Sequence, residues 1–100
     1  MEMRVSENGD MVLFQLRGTI DEEGAAHLKT RFKELELSRL NRVEFDFQDV
    51  THIGSAGIGK LLLFYKDVAA NGGTIQIVNT PAPVRELFTE LHLQTLFSVQ

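Results

Sequence analysis

The segment from Val43 to Lys60 limits the possible folds more than any other part of this sequence. It begins with strict alternation of apolar and acidic residues, Val43-Glu-Phe-Asp-Phe47, which is typical of a β-strand with one face on a core. The run Asp49-Val-Thr-His-Ile-Gly-Ser-Ala-Gly-Ile-Gly-Lys60 follows, with three glycines and one serine within six residues. A regular helical pattern comes next. This order of strand, glycine-rich turn and helix predicts that Ser55 lies at a helix N-terminus.

Strands and helices are predicted to alternate along the rest of the chain. Two short runs around Asn8-Gly9-Asp10 indicate a β-hairpin, and Asp21 is predicted to cap a first helix that ends near Ser38. The later elements are a helix from Ser55 to about Asn71, a strand over residues 74–78, a helix begun by Pro81 and Pro83, and a short strand within residues 96–99. Strand-helix-strand connections favour partly parallel pairing, and hence a mixed sheet covered by helices.

The helix after Ser55 has one predicted core face and two apolar residues outside it. Leu63 and Phe64 lie off this face, so they either pack at its flank or form an exposed apolar contact patch. The predicted core face consists of Ile58, Leu61, Leu62, Tyr65, Val68 and Ala69.

Length and composition predict one globular domain, residues 1–100, in the cytoplasm. The chain is 43% hydrophobic and 24% charged, and its net charge of −4 provides no basic surface for nucleic acid. The absence of cysteine excludes disulfides and thiol chemistry. Short apolar runs give no reason to expect insertion into a membrane.

The glycine-rich run resembles a phosphate-binding loop, but Leu61 stands where that loop needs a hydroxyl for Mg²⁺. Ser55 has no recognisable catalytic triad, and the histidines are too scattered to indicate a metal site. We therefore expect no enzyme activity, no cofactor and no metal. Two roles remain open for Ser55: a plain N-cap, or a phosphoacceptor whose phosphate the helix dipole would tolerate.

Together these motifs resemble the STAS domain of the bacterial anti-sigma factor antagonists. The likeness extends over nearly the whole chain, from Leu16-Arg-Gly-Thr-Ile-Asp21 through the glycine-rich run to Thr80-Pro-Ala-Pro-Val-Arg-Glu-Leu-Phe88. It implies an α/β fold: a mixed sheet of four to five strands, with about three helices mainly on one face.

The resemblance also implies a function in partner switching. The partner would be an anti-sigma factor that is a serine kinase of the histidine-kinase-like ATPase type, and a PP2C-type phosphatase would reverse the modification. Ser55 matches the phosphoacceptor of the family and Asp21 matches its docking aspartate. The expected partner-binding residues are Asp21, Gly54, Ser55, Ala56 and Gly57.

Gly54 departs from the family pattern, which usually has aspartate immediately before the serine. Some STAS proteins are never phosphorylated and serve as scaffold subunits of lipid transporters or stress-sensing assemblies. The sequence therefore keeps a non-phosphorylated scaffold as the alternative function.

Overall fold

Strands and helices alternate after an initial hairpin, as the sequence predicts. The computed structural model describes all 100 residues. The hairpin is confirmed: Asn8 pairs with Met11 across a two-residue turn in which Gly9 has a φ of +63°. The elements are β1 (Glu2–Asn8), β2 (Met11–Ile20), α1 (Glu22–Lys33), β3 (Arg42–Ile53), α2 (Ser55–Ala70), β4 (Thr74–Val78), α3 (Ala82–Glu90) and β5 (Ser98–Val99).

The five strands form one mixed sheet in the order β1-β2-β3-β4-β5. The β1–β2 pair is antiparallel and every later pair is parallel. Each parallel step is spanned by one helix, and all the steps run in the same direction across the sheet. Because such crossovers share one handedness, all three helices are placed on the same face. The predicted α/β fold, with helices mainly on one face, is therefore confirmed.

A single cluster of 22 buried residues lies between the sheet and the helices. The strands contribute alternate residues, such as Phe14 on β2, Phe45 on β3 and Ile77 on β4, each with no exposed surface. The opposite face of the sheet is not covered by any helix and carries mostly polar side chains, including Gln15, Arg17 and Gln48. None of the helices combines the length and apolar character needed to span a bilayer.

Strand β3 extends beyond the predicted residues 43–47 and reaches Ile53 because two irregularities keep it in register with β2. Gln15 pairs with Asp46 but Arg17 pairs with Asp49, and a second extra residue follows Val50. Each bulge inserts one residue and so turns the next apolar side chain back towards the core. Val50 and Ile53 are therefore buried although they do not follow strict alternation from Phe47. The last residue of the strand, Ile53, is therefore buried in the core immediately before Gly54.

The buried face of α2 only partly matches the predicted one: Leu61 and Val68 are buried as predicted, and Ile58, Leu62 and Tyr65 are half-buried against the core. It consists of Gly57, Leu61, Phe64 and Val68, whereas Ala69 is exposed. The Phe64 ring stacks on Phe32 with centroids 4.0 Å apart, so the expectation that Phe64 lies off the core face was wrong. The helix is apolar around much of its circumference, and periodicity alone does not select which stripe faces inward.

The ends of several elements also differ from the prediction. Helix α1 ends at Lys33, five residues before Ser38, and a short 3-10 turn at Leu37–Arg39 follows it. Leu35 and Leu40 are buried on either side of this turn, so the segment packs on the core although it is not a continuous helix. The final strand is confirmed but comprises only Ser98 and Val99.

The buried hydroxyl group of Thr80, between β4 and α3, is expected to lower the stability of the fold. The Thr80 side chain is 4% exposed and its hydroxyl has no hydrogen-bond partner. A buried hydroxyl without a partner costs about 1–3 kcal/mol, so Thr80→Val should raise the free energy of unfolding by about 1 kcal/mol in urea titration. Thr30→Val is the control because the Thr30 hydroxyl is exposed, and its effect should stay within about 0.5 kcal/mol. A Thr80→Val variant less stable than the wild type would contradict this assignment.

Candidate functional site

Two chain turns meet at the carboxyl ends of β2 and β3. Ile20 and Ile53 are register partners at the ends of these parallel strands. The Gly54 N–H donates to the Ile20 carbonyl oxygen at 2.9 Å, which joins the residues that start both turns. Asp21 follows Ile20, and Ser55 follows Gly54. The topology thus brings together the two residues that the sequence singled out for partner recognition.

Asp21 is the N-cap of α1, as predicted. Its Oδ1 accepts a hydrogen bond from the Gly24 N–H at 2.8 Å, and its side chain is exposed. The Gly24 N–H bond is the main cause that lowers the pKa of Asp21 below its ordinary value of 3.8, with a smaller contribution from the N-terminal ammonium. The carboxylate is therefore charged and fixed in direction while its outer surface remains open.

Ser55 is exposed in the first turn of α2, but it is not the N-cap. Gly54 holds that position with extended backbone angles (φ −90°, ψ 175°) and provides no side-chain cap. Of the two roles left open for Ser55, the plain N-cap does not hold, because Ser55 already lies inside the helix. Its hydroxyl forms no hydrogen bond within the protein, and the first N–H groups of α2 have no side-chain acceptor.

Gly57 is buried where α2 contacts the ends of both strands. A Cβ at this position would lie 2.7 Å from Ile20 Cγ2 and 2.9 Å from Ile53 Cγ1. The absence of a side chain therefore sets how closely the helix approaches the sheet, and with it the place of Ser55. Gly54 differs, because its Cβ would meet only the Ile20 carbonyl oxygen at an ordinary 3.7 Å.

The five residues predicted for partner binding differ in how deeply they are buried. Asp21 and Ser55 are exposed, Gly54 and Ala56 are half-buried, and Gly57 lies underneath. The glycine-rich run is not an open loop, since α2 begins at Ser55 and includes every residue from there to Lys60. Its backbone therefore cannot wrap around a nucleotide phosphate as a phosphate-binding loop does.

Met1 is a neighbour of this site that sequence analysis does not predict. A Cβ on Gly24 would lie 3.2 Å from Met1 Sδ, so the methionine covers the buried glycine in the first turn of α1. Met1 is half-buried and packs at the edge of the core. No local pattern signals this contact, because it joins the chain terminus to a helix that follows the hairpin.

Gly57 and Gly59 should respond in opposite ways to the same substitution. Gly57→Ala forces two isoleucine side chains to move, and overpacking of this kind lowers stability by about 1–3 kcal/mol. A Cβ at Gly59 meets nothing within 4 Å, so Gly59→Ala should raise stability by about 1 kcal/mol through helix propensity. Urea denaturation of both variants tests this difference. Equal effects would contradict the packing described for Gly57.

The cap formed by Asp21 should make part of the stability pH-dependent. A lowered carboxyl pKa contributes stability that is fully present above 3.8 and is lost as the pH falls through the lower, folded-state value. The stability advantage of the wild type over Asp21→Ala should therefore be constant at pH values well above 3.8 and shrink as the pH falls below 3.8 in urea titrations. Asp21→Asn is the control, since its amide oxygen caps without titrating in this range. An advantage over Asp21→Ala that does not change with pH would contradict the assignment.

The fold is similar to those of several solved structures. An anti-sigma factor antagonist from Mycobacterium paratuberculosis aligns with a TM-score of 0.83 and 19% identity, covering 98% of this chain and 83% of that one. The Bacillus cell fate determinant SpoIIAA in its phosphorylated form gives 0.80 and 15%, covering 99% and 91%. The murine anion transporter Slc26a9 gives 0.65 and 16%, covering 85% of this chain but only 14% of the transporter.

These structural likenesses, all at low identity, concern the fold. The match to a family model is independent of them: the model of the STAS domain matches residues 2–100, which is nearly the whole chain. The chain belongs to the STAS domain family.

Proposed function

We propose that this protein is an anti-sigma factor antagonist that acts by partner switching. In its unmodified form it binds a serine-kinase anti-sigma factor of the histidine-kinase-like ATPase type and so releases the sigma factor. The kinase then phosphorylates Ser55, and a PP2C-type phosphatase removes the phosphate. The observation that carries the proposal is the exposed Ser55 hydroxyl, free of hydrogen bonds, on a turn that the Gly54 N–H bond to Ile20 joins to the turn of Asp21.

The protein's part in this cycle is binding, and the chemistry belongs to its partners. In the kinase reaction, a bond forms between Ser55 Oγ and the γ-phosphorus of ATP as the bond to ADP breaks, and the hydroxyl proton passes to the kinase. We place this exchange in the cytoplasm, where the kinase has its ATP. Asp21 is proposed to receive a basic side chain of the kinase, because it is exposed and charged.

The proposed phosphate is compatible with the fold. It would add about −1.5 to −2 charges next to N–H groups that Gly54 leaves without a side-chain cap. The positive end of the helix dipole favours a negative group at this position. The modification would thus change the charge and bulk of the docking surface while α2 stays in place. These are the properties that a reversible switch requires.

Gly54 fits this cycle sterically but changes its electrostatics. The family usually places aspartate here, and the 3.7 Å distance from a Cβ to the Ile20 oxygen leaves room for one. Without that carboxylate, the fixed negative charge beside Ser55 comes from Asp21. Recognition by the kinase is therefore proposed to depend more strongly on Asp21.

A non-phosphorylated scaffold subunit is the second candidate function. The likeness to Slc26a9 supports it, since the chain matches only a small part of that transporter. Leu63 supports it as well, because its side chain is 52% exposed and available for contact. Phe64 does not contribute to such a patch, since it is buried. In this alternative Ser55 stays unmodified, and the surface around Leu63 packs permanently against a larger assembly.

Phosphorylation in vitro separates the two candidates. The protein is incubated with ATP and the histidine-kinase-like anti-sigma factor of the same organism, and its intact mass is measured. We expect one added phosphate on the wild type, none on Ser55→Ala, and one on the control Ser38→Ala, which removes another exposed serine. An unmodified wild type, or equal modification of wild type and Ser55→Ala, would reject Ser55 as the acceptor.

A further inference from the structure

Strand β1 leaves a free edge along one side of the sheet. It has seven residues, pairs only with β2, and keeps an uninterrupted register with β2 from Glu2 to Asn8. It contains no proline and no bulge, which are two of the usual devices that prevent an edge strand from pairing with another chain. The opposite edge of the sheet differs, because β5 comprises only two residues. The β1 edge is therefore a surface on which a further strand can pair.

The hairpin geometry determines which backbone groups of β1 are free. Asn8 and Met11 flank the two-residue turn as a hydrogen-bonded pair, and such pairs recur at every second residue of an antiparallel ladder. The residues of β1 with even numbers therefore bond to β2. The N–H and C=O groups of Met3, Val5 and Glu7 point away from β2, towards the open edge. Another strand can exchange hydrogen bonds with these groups without disturbing the sheet.

The first half of β1 has an apolar side and a charged side. Met3 and Val5 are half-buried on the side of the helices, where they pack at the margin of the core. Glu2 and Arg4 are exposed on the open face of the sheet, and neither belongs to an ion pair. An acidic and a basic side chain thus lie two residues apart on one face of a free edge, each without an oppositely charged partner.

One symmetric alignment of two antiparallel β1 strands brings opposite charges together. Residues that face each other across a strand pair lie on the same side of the sheet, so each symmetric alignment is defined by the residue that faces its own copy. With Met3 at this centre, Glu2 faces Arg4 of the second copy, and Arg4 faces Glu2 of the second copy. With Glu2 or Arg4 at the centre, a charge faces the same charge. Opposite charges stabilise a cross-strand pair and like charges destabilise it.

The alignment centred on Met3 also suits the backbone and the apolar side chains. Met3 has a free N–H and C=O, so two copies of it can form a hydrogen-bonded pair. Glu2 and Arg4 then form pairs of the other type, in which the side chains lie closer together. The alignment centred on Val5 is less favourable, since it provides no charge pair and places Glu7 against the apolar Met3.

The neighbouring charges on β2 and β3 favour the same alignment. Glu2 is the register partner of Arg17, and Arg17 is the register partner of Asp49. In the paired form, Glu2 would lie between Arg17 of its own copy and Arg4 of the second copy. Charges would then alternate in sign across the joined sheet, in the order Asp49, Arg17, Glu2 and Arg4. The register partner of Arg4 on β2 is the uncharged Gln15, which offers it no carboxylate.

We propose that two copies of this protein associate by antiparallel pairing of their β1 strands, with Met3 at the two-fold axis. The axis is perpendicular to the sheet, so the ten strands form one continuous sheet and the helices of both copies lie on the same face. The partner is identified by its chemistry as a second copy of this chain, because the strand is complementary to itself in both charge and apolar character.

This association is weak and leaves the candidate site accessible. About five residues of each copy take part, which is fewer than the about 20–30 residues a side of a stable interface, so we expect a dissociation constant of about 100 μM. Strand β3, which leads to Ser55, lies two strands from the β1 edge, or about 10 Å. The inference therefore does not depend on the proposed function.

Charge reversal tests the alignment by sedimentation equilibrium. Glu2→Arg and Arg4→Glu each place like charges opposite each other, so each should weaken dimerisation at least about tenfold. The double variant restores opposite charges and should dimerise as the wild type does. A mixture of the two single variants should also associate, because a basic strand then faces an acidic one. Glu7→Gln, the control on the same strand, should change the dissociation constant by no more than about twofold.

Three results would overturn the proposal. A wild type that is monomeric at about five times the expected dissociation constant would reject the association itself. A wild-type dimer that both single variants leave intact would show that the copies meet at another surface. Single variants that stay monomeric when mixed, together with a monomeric double variant, would reject the pairing of Glu2 with Arg4. Circular dichroism of each variant checks that the sheet is retained, and recovery of association in the mixture would show directly that both single variants fold.

Discussion

The close contact of α2 with the ends of β2 and β3 positions everything else at the site. Gly57 faces Ile20 and Ile53 at distances that leave no room for a Cβ, and the Gly54 N–H bonds to the Ile20 carbonyl oxygen. The first contact fixes the depth of the helix, and the second fixes its point of entry. Because β2 also leads into the turn that holds Asp21, the same two contacts bring the turns of Asp21 and Ser55 together. The stacked rings of Phe32 and Phe64 then hold α1 against α2.

At this edge of the sheet, the residue required for packing and the residue proposed for modification are neighbours but are not the same residue. Gly57 is buried and serves packing, whereas Ser55 is exposed and makes no hydrogen bond within the protein. Asp21 is proposed to serve both, since one carboxylate oxygen caps α1 and the side chain remains exposed. A phosphate on Ser55 would therefore change the outer surface without removing any bond that the fold uses. This separation would make the proposed modification of Ser55 compatible with an unchanged fold.

The sequence predicts much of this arrangement because the strongest signals are local. Alternation defined the start of β3, the Asn-Gly pair located the hairpin, and capping chemistry identified Asp21. The buried face of α2 was misjudged because Leu61, Leu62, Leu63 and Phe64 are apolar in succession, and only the close contact at Gly57 selects the stripe. The bulges in β3, the strand order and the contact of Met1 with Gly24 depend on pairing between distant segments. Such pairing leaves no periodic trace in a single sequence.

The central claim is that the charge state of Ser55 controls partner binding, and one comparison tests it most directly. The protein is prepared unmodified and stoichiometrically phosphorylated on Ser55, and the affinity of each form for the anti-sigma factor kinase is measured by calorimetry at physiological salt. A phosphate on Ser55 would face the phosphates of the kinase's own nucleotide, and like charges brought together at an interface cost several kcal/mol. We predict that the phosphorylated form binds at least about tenfold more weakly, which corresponds to about 1.4 kcal/mol. Equal dissociation constants for the two forms would contradict it.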